Sequence, residues 1–409
     1  MLITVIGGGA AGLMAATVAA WNGAKVRIIE RKGKLAKKLL ASSNGRGNFS
    51  NLDMNETHYY SNNSPFVKKV LDIFGVVQTL SVFEELGIMI KEKGSKLFPY
   101  TEKSKDIVTN FIYELEKHNV EVVLNFQVNQ IIKDGEKFLI KGQHRVFQSD
   151  KVIVATGGNS SPQYGSNGSI FPTLQDLGHS IVELRPGLVP LKVRPHIIED
   201  VAGSKLEGDV FLIDRNGEIV SKNYTGEILF KKDDVLSGIP ILELSNYVHE
   251  YLEQNTPLFL KIVPFPQYSL RSLVDFLIKK IRSKPERPIK LLLVSIIDER
   301  LIRYFLSKIG FKDLEAPVSS FNDKDIEMLA DKLKDWNFEV VGTTSWKDSQ
   351  VSLGGINTTE IDPYTLESTI IPGLFFAGEV MDVAGESGGY NLQWSWSTGY
   401  LAGSSASSK

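Results

Sequence analysis

The chain has 409 residues, which at roughly 150 residues per domain implies two or three domains and a core that needs no covalent staples. Its 46 basic and 48 acidic side chains leave a formal charge of -2, so the global basic field typical of nucleic-acid or anionic-membrane binders is absent. Cysteine is absent, which removes disulfides, thiolate nucleophiles, cysteine metal sites and Cys-x-x-Cys redox relays together.

No run approaches the ~20 apolar residues of a membrane span, and the opening Met1–Ile6 is too short and uncharged for a signal peptide, so a cytoplasmic protein without a membrane partner is expected. That opening reads as a buried strand running into Gly7-x-Gly9-x-x-Gly12 and a small-residue helix, Leu13–Asn22. A second apolar strand, Val26–Ile29, ends in Glu30, 18 residues after Gly12. Strand, glycine turn, helix, strand and acid together form a dinucleotide fingerprint. Gly7 turns the chain, Gly9 lets backbone approach a pyrophosphate, and Gly12 permits close helix–strand packing, while the N–H groups around Ala10 and Ala11 face the phosphates. Glu30 is suited to accept from both ribose hydroxyls, which favours a free 2'-OH and argues against NADP at this position. Arg31, Lys38 and Arg46 add cations around the first loop.

Helical periodicity follows over Pro65–Phe74, Val76–Leu86 and Ser104–Lys117, then short β runs at Val120–Phe126, Gln127–Lys133, Phe138–Lys141 and His144–Phe147, expected to form an antiparallel meander. Val128, in the second of these runs, is taken as a cofactor contact. Lys151–Val154 is a further strand, ending in Ala155-Thr156-Gly157-Gly158. Residues 191–265 alternate like a small barrel or sandwich, with strands expected at Gly208–Arg215 and Asn216–Ser221. Residues 266–338 turn helical, at Ser269–Ile281, Pro288–Ser307 and Asp323–Trp336, and read as a cap subdomain. The expected fold is therefore α/β: a Rossmann-like FAD-binding domain of the glutathione-reductase type, discontinuous over 1–190 and 339–409. The barrel-like insertion and helical cap interrupt it as a substrate lid.

FAD and NAD share the first fingerprint, and the later strand ends discriminate. Pro372–Phe376 leads into Ala377-Gly378-Glu379, which in two-dinucleotide-fold flavoproteins sets a carboxylate beside the ribityl chain; Asp is usual there and Glu379 is a longer variant. Gly388-Gly389-Tyr390-Asn391-Leu392 precedes a C-terminal helix read as beginning in Leu392–Thr398, with N–H groups expected at the flavin N1/C2=O edge and Tyr390 facing the ring. On that reading a carboxylate introduced at Gly389 would lower the flavin potential.

Of six histidines, His58, His118, His144, His196 and His249 show no ligand spacing and His179 reads as a structural turn residue, so no metal site is expected. Neither a Gly-x-Ser-x-Gly elbow nor a P-loop appears. The missing protein nucleophile is consistent with a non-covalent FAD carrying the chemistry.

The segments Lys38–Asn51, Lys96-Leu97-Phe98-Pro99, Gly178-His179, Gly187–Leu191 and Gly388–Trp394 occur in that order. Together they resemble the bacterial family of FAD-dependent oxidoreductases that includes aminoacetone-oxidase-like and bile-acid-reductase-like flavoproteins. The resemblance covers nearly the whole length and is thinnest over 192–340. It implies that Asn44, Gly45, Arg46 and Asn48 lie along the pyrophosphate and flavin. The family usually reads Ser-Gly-Gly-Gly-Arg-Cys-Asn where this chain has Ser42-Ser43-Asn44-Gly45-Arg46-Gly47-Asn48. Asn44 tolerates a left-handed turn, whereas Ser43 would be strained by one.

The function implied is hydride transfer between flavin N5 and a small-molecule substrate, with NAD(P)H or dioxygen as electron partner. No second Gly-x-Gly-x-x-Gly exists, so NAD(P)H would be a transient donor entering by the substrate's face. A flavin-containing RNA-modifying or RNA-binding protein is the rival, disfavoured by charge, and a non-catalytic FAD scaffold is a third reading. Oligomeric state is left open. The purified protein is expected to be yellow, or to become so with FAD, and to release the chromophore on denaturation, because no Cys or suitably placed His exists for a covalent link. Stoichiometric NAD binding with no response to FAD would contradict this.

Overall fold

The computed structural model describes residues 1–194 and 201–408, which leaves His196 outside the described residues. It separates into two compact units, Met1–Gly187 with Trp346–Lys409, and Leu188–Ser345.

In the first unit β1 (Leu2–Ile6), α1 (Ala10–Trp21) and β2 (Lys25–Ile29) form the expected parallel βαβ unit. After α2 (Lys37–Ala41) come the short strands β3 (Ser50–Asn51) and β4 (Tyr59–Tyr60) and the helices α3 (Ser64–Ile73) and α4 (Val76–Glu85). The hairpin β5 (Ile90–Lys93) and β6 (Lys96–Pro99) continues β3 into a three-stranded ribbon. Helix α5 (Ser104–Lys117) then crosses back, so β7 (Glu121–Val123) joins β2 in parallel at the sheet edge. The run from Val120 thus belongs to the parallel sheet and is not part of the meander, which consists of β8 (Gln130–Asp134), β9 (Lys137–Lys141) and β10 (Val146–Ser149). β11 (Lys151–Val154) returns beside β1, and α6 (Phe171–Asp176) leads to β12 (Ile181–Gly187).

The second unit is a closed antiparallel barrel built from β13 (Leu191–Arg194), β14 (Lys205–Asp214), β15 (Tyr224–Lys231), β16 (Val235–Ser237), β17 (Leu258–Pro264) and β18 (Trp336–Thr343). Short helices α7 (Ile239–Leu244) and α8 (His249–Glu253) fall between its strands; α9 (Leu270–Ser283), α10 (Glu299–Lys308) and α11 (Asp323–Lys334) come before the last one. The structure corrects several expectations here. Asn216–Ser221 is no independent strand: the Asp214 carboxylate accepts from the Asn216 and Glu218 N–H groups and turns the chain. Pro288–Ser307 is not one helix, because Asp298 caps the Arg300 N–H and starts α10 afresh. Helix α11 stops at Lys334 and Trp336 opens β18, its ring packed on Phe230 and Phe305. The barrel therefore needs residues assigned above to the FAD domain. Leu273, Leu277, Leu301, Phe305 and Leu329 share one core with the barrel's Leu212, Phe230 and Leu260, so the helices are no separate subdomain.

Back in the first unit, β19 (Val351–Ile356) pairs antiparallel with β12, β20 (Leu374–Phe376) completes the sheet, and β21 (Ala384–Gly385) pairs with β4. The parallel order is β20-β11-β1-β2-β7. The C-terminal helix α12 spans Tyr390–Ser407, so it opens at Tyr390 itself, earlier than its Gly-poor stretch suggests. α1 and α12 are buried almost all round and lie side by side in the same direction. A Cβ on Gly399 would come within 2.6 Å of the Ala11 carbonyl oxygen, and one on Gly403 within 2.5 Å of that of Ala15. Gly399→Val should therefore cost about 1–3 kcal/mol through overpacking, and differential scanning calorimetry should show Tm lowered by ~2–12 °C. An unchanged Tm would mean that the helices can separate without cost.

Candidate cofactor site

The site assembles where the parallel strands end. Gly7 (φ +105) carries the turn after β1, and a Cβ there would strike the Ala155 carbonyl. Gly12 packs on the Gly7 carbonyl in the same way. Gly9 differs: nothing lies within 4 Å of the position its Cβ would take, and as the N-cap of α1 it offers no side-chain cap. The first N–H groups of α1, at Ala10 and Ala11, have no hydrogen-bond partner among the described residues, as an anionic pyrophosphate requires. The Glu30 carboxylate spans this turn, accepting from the Gly8 N–H and the Lys32 N–H at 2.8 Å each.

Because residue 399 lies against residue 11 and 403 against 15, the start of α12 projects about eight residues beyond that of α1, or about 12 Å at 1.5 Å per residue. A cofactor with its pyrophosphate at Gly9 and a ribityl-length arm would bring its ring to Tyr390. Between the two helix ends lies the end of β20, where the Gly378 N–H donates to Thr398 Oγ1 at 2.8 Å. Gly157 and Gly158 close the β11 end, Gly158 packing against the Ser352 hydroxyl, and Thr156 makes only a long 3.4 Å contact to the Gly157 carbonyl.

Glu379 is turned into a protein network, with its carboxylate accepting from Lys38 Nζ at 2.7 Å, Ser160 Oγ at 2.6 Å and the Ser352 N–H at 2.7 Å. Lys38 also donates to Ser160. Two predicted site residues from distant segments are brought together here. Ser160 and Ser352 escaped sequence reading: Ser160 follows a recognised motif, but nothing marked Ser352.

Other predicted residues sit differently. Arg46 points outward, half exposed, donating to Glu102 at 2.7 Å and lying over Phe98. Lys91, Lys93 and Arg46 together hold the Glu102 carboxyl down to about 2. Arg46 is thus a surface clamp in this structure, because a carboxylate at Glu102 outcompetes the loop's interior. Arg31 donates to the Gly165 carbonyl at 3.2 Å. Ser43 and Asn44 adopt φ of 49° and 55°, so the family's Gly positions do demand left-handed backbone and Ser43 carries that strain. Gly45 shares the turn at φ 81°. Asn48 is 6% exposed and its Oδ1 has no partner, a buried acceptor suited to a ring N–H. Val128 is buried on the loop before β8, not on a strand.

At the head of α12, Gly389 (φ +106) lies against the Ser50 backbone, so a carboxylate there would clash with protein and cannot report on the flavin. Gly388 (φ +131) accepts at its carbonyl from Asn51 Nδ2 at 3.0 Å. Tyr390 is 6% exposed and stacks on His58 with ring centroids 4.4 Å apart. His58 Nδ1 lies 2.8 Å from Glu386 Oε2, tying the β4 and β21 segments together. The Asn391 side chain accepts from the Gly385 N–H and donates to its carbonyl, and Leu392 packs against the core. Tyr59, donating to the Tyr390 carbonyl, is held far above the usual phenol range by burial. Trp394 is a core residue packed on Tyr59 and Phe66. His179 is wholly buried between Glu360 and Ser368, each at 3.0 Å, and burial pushes its pKa down. Among the described residues no cluster of His, Asp and Glu could hold a metal, and no helix is long and apolar enough to cross a membrane.

Strand order, open glycine turn and helix offset define a Rossmann-like FAD-binding domain carrying an inserted barrel. Residues 1–405 match the family model described as HI0933-like protein Rossmann domain; the chain belongs to that family, one of FAD-dependent oxidoreductases. The 3-dehydro-bile acid delta(4,6)-reductase of Clostridium scindens is 31% identical over 409 residues, covering 100% of this chain and 99% of that one. A ribosomal RNA dihydrouridine synthase of Escherichia coli is 30% identical over 399 residues, covering 97% and 95%. The structure of 3-ketosteroid-delta4-(5alpha)-dehydrogenase from Rhodococcus jostii RHA1 shares the fold, with a TM-score of 0.50, 15% identity and coverage of 100% and 96%.

Charge-assisted hydrogen bonds contribute ~1.5–3 kcal/mol, so Glu30→Ala should weaken FAD binding to the apoprotein by about ten- to a hundredfold. Fluorescence titration with an unchanged dissociation constant would remove Glu30 from the site.

Proposed function

We propose that this protein is an FAD-dependent reductase of a carbon–carbon double bond conjugated to a carbonyl, with NAD(P)H as transient hydride donor. The observation that carries the cofactor is the open Gly9 turn with α12 starting about 12 Å beyond it. The reaction type is supported by two full-length relatives named for such bonds: a bile acid delta(4,6)-reductase, and a synthase of dihydrouridine, in which the saturated bond adjoins a uracil carbonyl.

When bound, FAD supplies hydride acceptance from the donor and hydride delivery to the bond's far carbon. The chain's own residues bind and orient. The N–H groups at the start of α1 would hold the pyrophosphate and Glu30 the adenosine ribose. Lys38, Ser160 and the Ser352 N–H keep Glu379 fixed at the β20 end beside the ribityl position. Asn48 Oδ1, buried without a partner, would accept from a ring N–H, and Tyr390, backed by His58, would give a flat buried wall that excludes water.

A second reading, with ribosomal RNA as acceptor, is favoured by the Escherichia coli relative and by Lys32, Lys34, Lys37, Lys103 and Lys105, which form no ion pair among the described residues. The net charge of -2 favours the small molecule. Anaerobic mixing with NADH or NADPH should bleach the flavin band, and a 3-keto-4-ene steroid should restore it while its saturated analogue does not. Restoration only by a uridine-containing ribosomal RNA fragment would support the second reading. Bleaching by amines, with reoxidation only by dioxygen, would overturn both in favour of an oxidase.

A further inference from the structure

The segment Lys96-Leu97-Phe98-Pro99 stood out in the sequence, yet the site described above makes no use of Lys96. It lies on β6, in register with Asn51 of β3, and this ribbon packs on the turn that opens α12. A Cβ built on Gly388 would lie 3.7 Å from Lys96 Cε, 3.5 Å from Asn51 Nδ2 and 3.3 Å from the Tyr390 ring. The lysine stem therefore runs alongside the first residues of α12. Its ammonium forms no ion pair and no hydrogen bond among the described residues, although it is partly buried. Its neighbours on the ribbon behave differently, since Lys91 and Lys93 both bridge to Glu102 at 2.8 and 2.6 Å. The other titratable groups at this end of α12 are Tyr390, Tyr59, His58, Glu386 and Asp53, and both carboxylates are engaged with His58, at 2.8 and 3.4 Å. A cation left uncompensated in a half-buried place favours an anion beside it.

We propose that Lys96 is the charge-compensating residue for the reduced flavin at the head of α12. The inference rests on the FAD reading above. Hydride delivery to oxidised flavin adds two electrons and one proton, so the ring gains one negative charge, which the oxidised ring lacks. An ammonium near that charge, acting with the N–H groups of the helix start, stabilises the reduced form over the oxidised one and raises the potential. Lys96 is the part of this arrangement that mutation can remove without touching the helix.

The test is a spectroelectrochemical titration of FAD-loaded protein at pH 7, with flavin content checked first by absorbance. Lys96→Met should shift the balance toward oxidised flavin by about tenfold, which for a two-electron couple is a midpoint lower by about 30 mV. Lys96→Arg, keeping the charge, should hold the midpoint within half that shift. Lys93→Met, which removes a charge from the paired strand β5, should leave it unchanged. If Lys96→Met loses flavin on purification, titrating its apoprotein with oxidised and with reduced FAD gives the same ratio, the reduced form being weakened about tenfold more. A Lys96→Met midpoint equal to wild type, equal weakening of both FAD forms, or an equal shift in Lys93→Met overturns the assignment. Wild-type protein that takes up no FAD overturns the cofactor reading itself, and with it this one.

Discussion

The close approach of α1 and α12 is the contact on which the rest of the first unit depends. Two helices buried on nearly all sides can lie this near only if one of them lacks side chains along the seam, and Gly399 and Gly403 meet that condition against the backbone of Ala11 and Ala15. The seam fixes the axial offset between the two helix starts. One start carries the Gly9 turn and the other lies about 12 Å further along, so the spacing of the candidate cofactor site is set by the packing of the two helices along this seam.

Two carboxylates around the site are fully matched by groups of the protein itself. Glu379 is saturated by Lys38, Ser160 and the Ser352 N–H, while Glu102 gathers Arg46, Lys91 and Lys93 at the surface. Glu30 is held by backbone N–H groups, which orient its carboxylate without neutralising it. Lys32, Lys34, Lys37 and Lys96 are left without an ion pair among the described residues, which is what a bound dinucleotide can exploit. The Ser43–Asn44 turn stands against this economy: Asn44 tolerates left-handed backbone, but Ser43 held there costs about 1–3 kcal/mol. The strain is tolerated because Gly47, beside it, packs against the Ser104 backbone, leaving the loop little room to relax.

The inserted unit obeys a different logic. Its barrel closes only when β18 pairs with both β13 and β17, and β18 arrives after three helices. Helices and strands therefore bury one another in a common core, with Trp336 wedged between Phe230 and Phe305.

Local features were legible in the sequence wherever a residue type has one physical use. Gly7 and Gly12 announce a turn that no side chain permits, Glu30 ends an apolar strand at a fixed distance, and Ser104–Lys117 shows a helical period that the structure keeps to the residue. Fold class and the FAD-type architecture follow from such signals in order. What tertiary structure alone decided were pairings between distant segments: Arg46 with Glu102, Glu379 with Lys38 and Ser352, Gly389 against Ser50, Val120–Val123 into the parallel sheet, and the sixth barrel strand from residues beyond Asp335. The reason is physical. A glycine's backbone freedom and a helix's period are properties of the local chain, whereas a charged or apolar side chain takes whichever partner the packing brings nearest, and sequence spacing carries no record of that.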